Sequence, residues 1–192
     1  SEKVTFTEET LVAGGIKSPY YYFAFESASA RWTYKIDAVL GVIMDKTCDK
    51  IILEVNKNLK TVNGGVDINI KDVDAFYEAE YPIYEIQDAP SSEVDNTIGQ
   101  YVAELVHDGD CLQLGIGSMP NAVGHHLMDK KDLGLHTEMF TSIMGEMIRK
   151  GVITGAMKNY NRGLHIGCFA GGDLALYETL SNDPGVRLCP TR

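Results

Sequence analysis

Residues 111–128 read CLQLGIGSMPNAVGHHLM. Cys111 to Leu114 is a short apolar run of strand type, Gly115 and Gly117 break it, and Pro120 suits the first turn of a helix, where its missing N–H costs nothing. The spacing therefore predicts a strand, a glycine loop and a helix over Asn121 to Met128. The same order recurs downstream: a strand over Leu135 to Glu138, a helix over Ile143 to Lys150 closed by Gly151, and a strand over Leu164 to Phe169. A glycine turn at Gly171-Gly172, a helix from Asp173 to Leu180 and a strand over Val186 to Leu188 complete it. Repeated strand–helix order predicts an α/β fold, an open and mostly parallel sheet with helices on both faces.

Upstream, Val94, Ile98, Tyr101, Val102 and Leu105 follow the apolar stripe of an amphipathic helix, with Ser91 or Ser92 placed to cap it and His107-Asp108-Gly109-Asp110 to end it. Gln87 to Ser92 has the composition of an exposed loop. Before it, Ile51 to Val55 reads as a buried strand, and Val66, Ile68 and Ile70 alternate as a second extended segment after the Asn63-Gly64-Gly65 turn. Val73 to Glu80 and Pro82 to Ile86 finish this block. Ile36, Val39, Leu40 and Ile43 have the spacing of one helix face, which predicts a helix over Thr33 to Met44. Residues 1–30 carry little periodicity beyond a possible strand at Lys3 to Phe6.

The chain has 192 residues, 44% of them apolar, enough to bury a core in one ordinary domain or two small halves. Its 17 Lys and Arg against 27 Asp and Glu leave a formal net charge of −10, the wrong sign for a nucleic-acid surface. No apolar run approaches the roughly 18 residues that span a bilayer, and no signal-peptide pattern opens the sequence. A cytoplasmic protein without nucleic-acid or membrane partners is expected. Cys48, Cys111, Cys168 and Cys189 are widely spaced and form no metal-ligand pattern, so free, mostly buried thiols and no metal site are expected.

Ligands of open parallel sheets bind where strand ends enter helices. One such place is Gln113 to Val123, where glycines admit a ligand to the backbone and the following helix offers free N–H groups to an anion. The same glycines also suit a plain tight turn, and Pro120 stands where a dinucleotide fingerprint requires its third glycine. The other place is Leu135-His136-Thr137-Glu138-Met139-Phe140, where a carboxylate ends an apolar strand and is either a functional group or a rim residue. Successive βα units put both on one sheet edge.

The segment DGDCLQLGIGSMPNAVGHHLMDKKDLGLHTEMF, with KGVITGAMK after it, resembles the acetyl-CoA hydrolase/transferase family, and within it the 4-hydroxybutyrate and butyrate:acetate CoA-transferase branch. The resemblance extends over Ile98 to Arg192 and, more weakly, over Lys50 to Asn56 and Ile70 to Asp74. In that family a glutamate attacks the acyl-CoA thioester and becomes a glutamyl-CoA thioester, which passes CoA to an acceptor carboxylate. The family's His-Ser/Thr-Glu-Met motif matches His136 to Met139, so the resemblance implies Glu138 as nucleophile. Its Gly-Ile-Gly-x-x-Pro-x-Ala-Val loop matches Gly115 to Val123. Gln113, Gly115, Gly117, Ser118, Met119, Pro120, Asn121 and Ala122 are thereby implied as CoA or oxyanion contacts.

A nucleophilic carboxylate needs to be ionised, partly desolvated and beside oxyanion donors. With so acidic a chain, the CoA phosphates would meet backbone amides and local cations, for which Lys130 and Lys131 are candidates; a solvated helix end is the plainer reading of those lysines. The resemblance implies no tightly bound cofactor, and an acyl-CoA and a small carboxylic acid as substrates; apolar surface left by a cut through two half-domains would favour a homo-oligomer. An acyl-CoA hydrolase or a non-catalytic anion-binding α/β domain are the other readings. After Phe140 the sequence Thr141-Ser142-Ile143-Met144-Gly145-Glu146 departs from the family's Ser-Asp-Gly. Family members are about twice as long with two related α/β domains. Residues 1–90 are thus expected to be the C-terminal part of a first domain and 91–192 the N-terminal part of a second, the chain being a fragment or truncated product.

Overall fold

A computed structural model describes residues 5–13, 16–27, 30–36, 52–64 and 74–189. The chain divides into two compact units, Ser1–Leu59 with Asp67–Tyr84 and Lys60–Val66 with Glu85–Arg192.

In the first unit, strands β1 (Thr5–Ala13), β2 (Ile16–Ser27) and β3 (Ala30–Ile36) form an antiparallel sheet in the order β1-β2-β3. Of the possible strand at Lys3 to Phe6, Thr5 and Phe6 open β1, and Lys3 and Val4 lie outside the described residues. The helix expected over Thr33 to Met44 is corrected at its beginning: Thr33 to Ile36 close β3, with Phe23 opposite Tyr34 and Ala24 opposite Thr33. Trp32, Thr33 and Tyr34 are strand formers, and the helical spacing begins only at Ile36. Residues 37–44 lie outside the described residues, as does the extended segment expected at Val66 to Ile70. Strand β4 (Ile52–Asn56) falls where the apolar run predicts it and pairs in parallel with β5 (Ala75–Ala79). Glu54 accepts hydrogen bonds from the hydroxyls of Tyr77 and Tyr81.

The second unit begins with a loop and then α1 (Glu93–Leu105). Ser92 is its N-cap, accepting from the Asp95 N–H while the Asp95 carboxylate accepts from the Ser92 N–H, a reciprocal capping box. The backbone N–H of Ser92, and then its hydroxyl, hold the Asp95 carboxyl below its ordinary pKa. Strands and helices then follow in the expected order, except that the strand expected over Leu135 to Glu138 is two short ones flanking residues 136–138 and the strand expected over Leu164 to Phe169 breaks at Cys168: β6 (Cys111–Leu112), α2 (Ser118–His126), β7 (Gly134–Leu135), β8 (Met139–Phe140), α3 (Ser142–Arg149), β9 (His165–Gly167), β10 (Phe169–Ala170), α4 (Leu174–Asn182) and β11 (Val186–Leu188). Gly151 closes α3 at φ +71°, the left-handed conformation that favours glycine. Asp173 caps α4, accepting from the Leu176 N–H at 2.7 Å.

Every strand pair of this unit is parallel: β6 with β7, β8 with β10, and β9 with β11. A parallel bridge between His136 and Ile166 ties the line of β7 to β9, and another joins Gly64 to Leu188. The fold is therefore α/β with parallel strand pairs in this unit, and the antiparallel β1-β2-β3 sheet is the part that departs from a mostly parallel expectation.

Leu127, Leu133, Leu135, Phe140, Met144, Met147, Ile153, Leu176, Leu180 and Val186 form the fully buried core. Each such side chain contributes about 1.5–3 kcal/mol of burial. Helix α1 departs from the pattern read in its sequence. The stripe of Val94, Ile98, Tyr101 and Leu105 is exposed, and the helix instead buries Gly99 and Ala103. A Cβ at Gly99 would stand 2.9 Å from the carbonyl carbon of Ala122, so only glycine lets α1 lie this close to α2.

Among the described residues, no helix is long and apolar enough to cross a membrane. Cys111, Cys168 and Cys189 are free, as expected, but not mostly buried: Cys111 and Cys189 are exposed and Cys168 is half-buried. The reason is position, since Cys111 opens β6, Cys189 follows β11, and Cys168 stands at the break between β9 and β10. Cys48 lies outside the described residues.

Candidate active site at the ends of the parallel strands

The two segments singled out in the sequence lie against one another. The His136 N–H donates to the Leu112 carbonyl at 2.9 Å, and the Thr137 hydroxyl donates to the Leu114 carbonyl at 3.0 Å. The segment between β7 and β8 is irregular at residues 137 and 138, and its side chains divide by burial. Thr137 and Phe140 turn inward and are buried, while His136 and Glu138 are exposed. On the other side of the segment, the Glu138 carbonyl accepts from the N–H groups of Cys168 at 2.8 Å and Phe169 at 3.3 Å. Glu138 is thus fixed by its backbone between the glycine loop's strand and the β9–β10 segment. Partial desolvation of its carboxylate, expected from the sequence, is not met: Glu138 stands in the bend just before β8 and is exposed among the described residues.

The glycine loop divides at Pro120. Gln113, Gly115, Gly117 and Met119 are exposed, Ser118 and Pro120 half-buried, and Asn121 and Ala122 buried on the packing side of α2. Gly117 is the N-cap of α2 with φ +115°, a conformation reserved in practice for glycine, and a Cβ there would meet nothing within 4 Å. No side chain caps α2, so its first N–H groups are left for an anion. Ser118 is engaged elsewhere: its carbonyl accepts from the Ser91 hydroxyl at 3.0 Å, and its side chain hydrogen-bonds the Asp95 carboxylate. Buried Ala122 supports the approach of α1, and the side-chain oxygen of Asn121 is buried without a hydrogen-bond partner.

Lys130 and Lys131 follow the opposite end of α2, whose nine residues span about 13 Å. They are therefore a helix end remote from the glycine loop, and Lys131 anchors its own turn by donating its N–H to Asp108.

Two residues near these strands carry signals the sequence does not isolate. Lys158 is buried, its ammonium donating to the carbonyls of Leu135 at 3.0 Å and Leu164 at 2.8 Å, and burial pushes its pKa down. Cys168 has its pKa raised, first by burial and then by the charges of Glu138 and Cys189. The sequence signal for Cys168 is only its distance past the Leu164 strand start, which needs the strand register to interpret. Among the described residues no cluster of His, Cys, Asp and Glu has the makings of a metal site.

The class of fold is thus a parallel α/β unit in which a glycine loop lies against the segment that carries Glu138. The similarities of the chain narrow the class. It is 33% identical over 179 residues to a succinyl-CoA:cyclohexane-1-carboxylate CoA transferase of Geobacter metallireducens, covering 93% of this chain and 40% of that protein. It is 38% identical over 136 residues to a 4-hydroxybutyrate coenzyme A transferase of Clostridium kluyveri, covering 71% and 32%. Among solved structures, a 4-hydroxybutyrate CoA-transferase from Porphyromonas gingivalis superposes with a TM-score of 0.68 at 39% identity, over 73% of this chain and 35% of that one. RipA from Yersinia pestis does so with a TM-score of 0.74 at 34% identity, over 82% and 37%. No protein-family model matches. The chain is a relative of the CoA-transferases along most of its own length, as the resemblance in its sequence implies, and it spans about a third to two fifths of the length of the proteins it matches.

Proposed function

We propose that this chain carries the nucleophile segment of an acyl-CoA:carboxylate CoA-transferase of the 4-hydroxybutyrate, acetate and butyrate type. Glu138 is the nucleophile. Its carboxylate attacks the thioester carbonyl, and collapse of the tetrahedral oxyanion expels CoA thiolate and leaves an acyl-glutamyl anhydride. The thiolate then attacks the glutamyl carbonyl and releases the first carboxylate, which leaves a glutamyl-CoA thioester. An acceptor acid repeats the exchange in reverse, forming a new acyl-CoA and freeing Glu138. The uncapped N–H groups at the start of α2 and the open backbone of Gly115 and Gly117 are donors for the oxyanion or for a CoA phosphate. CoA thioester is substrate here, with no tightly bound cofactor, and a small carboxylic acid is the second substrate.

The observation that carries this reading is the fixed placement of Glu138, anchored through Thr137 to Leu114 and through its own carbonyl to Cys168. The exposed carboxylate also favours a second reading within the same chemistry. Water reaches it directly, so an acylated Glu138 in this chain would hydrolyse and the net reaction would be that of an acyl-CoA hydrolase. The wider arrangement we adopt is an open, mostly parallel sheet with helices on both faces, with residues 1–90 ending one CoA-transferase domain and 91–192 opening another, in a cytoplasmic homo-oligomer.

Incubation with acetyl-CoA or butyryl-CoA, trapping with hydroxylamine and peptide mass spectrometry tests the reading. Glu138 is expected to become the hydroxamate, and Glu138→Gln to abolish the adduct with the fold unchanged. A trapped adduct that survives Glu138→Gln, or none in wild type, overturns the nucleophile assignment and leaves an anion-binding domain.

A further inference from the structure

Beside Glu138 the fold brings together two thiols that the proposed reaction does not use. Strands β9 and β11 run parallel with His165 opposite Val186, Ile166 opposite Arg187 and Gly167 opposite Leu188. The hydrogen bond from the Cys189 N–H to the Gly167 carbonyl at 2.8 Å completes this last pair, and Cys168 and Cys189 are the next residue on each strand, one step past it. Neighbouring strands are about 4.8 Å apart, within the roughly 4.4–6.8 Å of Cα separation that a disulfide spans. If the alternation of the ladder carries on for that one step, both side chains leave the face opposite to that of Gly167 and Leu188. Cys189 is exposed and Cys168 half-buried, and both are free.

We propose that Cys168 and Cys189 are a redox-active dithiol that closes to a disulfide when it meets a disulfide-class oxidant such as oxidised glutathione. The exposed Cys189 thiolate attacks one sulfur of the oxidant, forming a mixed disulfide and releasing one glutathione thiolate. Cys168, deprotonated, then attacks the Cys189 sulfur, the S–S bond to glutathione breaks, and the second glutathione leaves. Two protein thiols are oxidised, one oxidised glutathione is reduced to two thiols, and the two thiol protons end on glutathione or solvent. The pair is adjacent to a break in the strand line, where β9 stops at Gly167 and β10 starts at Phe169. That break gives Cys168 the local freedom a cross-strand bridge requires. Exposure also makes such a bridge readily reducible, in keeping with a reversible modification rather than a structural staple. The inference stands on register and exposure and does not depend on Glu138 being acylated.

The test treats the reduced 192-residue chain with oxidised glutathione, blocks remaining thiols with iodoacetamide and digests with trypsin, which cuts after Arg162 and Arg187 and so separates the two cysteines. The expected product is a linked pair of peptides, 163–187 with 188–192, about two hydrogens lighter than their sum and separated by dithiothreitol. Cys168→Ser and Cys189→Ser should each remove it, and Cys168→Ser should leave Cys189 as a stable glutathione adduct. Independent glutathione adducts on Cys168 and Cys189 in wild type, bridges to Cys111 in their place, or two thiols that remain fully alkylated would each overturn the proposal. Hydroxylamine trapping at Glu138 is a separate readout, so failure of one assignment is distinguishable from failure of the other.

Discussion

At the scale of single residues, Thr137 ties the segment of the candidate nucleophile to the glycine loop's strand. It is buried, and its hydroxyl reaches both the Leu114 carbonyl at 3.0 Å and the Met139 carbonyl at 3.3 Å. Thr137→Val keeps shape and strand preference while leaving the Leu114 carbonyl without its donor, so a loss of about 1 kcal/mol is expected in urea unfolding. The same variant should slow acylation of Glu138, because the segment loses its tie to the glycine loop; unchanged stability and unchanged acylation together would show the tie to be idle. Glu138 itself is legible in the sequence as a carboxylate after an apolar run within a motif that resembles the family's, but which way it faces is not, because residues 137 and 138 leave the strand. Cys168 is not legible. Its importance comes from register with residues some 20 to 30 positions away, and local pattern carries no such information.

At the scale of elements, boundaries set by local chemistry were readable and partners were not. β11 falls on Val186 to Leu188, where the sequence places a strand, and α1 starts at the serine cap. What α1 packs against is another matter. Its apolar stripe is the natural reading of a buried face, yet Ile98 is 40% exposed and Leu105 77%, while the buried contact is made by Gly99 and Ala103. Two substitutions one residue apart separate these faces. Ile98→Ser should change the stability of this chain by no more than about 0.5 kcal/mol. Gly99→Ala gains roughly 1 kcal/mol of helix propensity but sets its methyl 2.9 Å from the Ala122 carbonyl carbon and 3.1 Å from its oxygen, so helix α1 must move away. A net loss of about 1–2 kcal/mol is expected from such overpacking. Thermal unfolding of both variants decides the matter, and the reverse ranking would mean that α1 packs through its apolar stripe.

At the scale of the molecule, the net charge of −10 says nothing of which groups make stability depend on pH. One buried group does. His165 opens β9, is almost fully buried, and its Nδ1 has no hydrogen-bond partner. Burial pushes its pKa down; Asp183 works against that and Lys158 with it. In the unfolded chain the imidazole takes a proton as the pH falls through about 6.5, whereas the folded chain resists until lower pH. The unfolded state therefore binds more protons between the two pKa values, and stability falls as acidity rises through that window. Above about pH 6.5 the imidazole is neutral in both states and the penalty vanishes. His165→Leu removes the proton acceptor and should flatten this limb, so urea midpoints measured at pH 7.5 and 5.5 should diverge less for the variant than for wild type. Parallel decline of the two proteins would assign the acid sensitivity to other groups and leave His165 as a packing residue only.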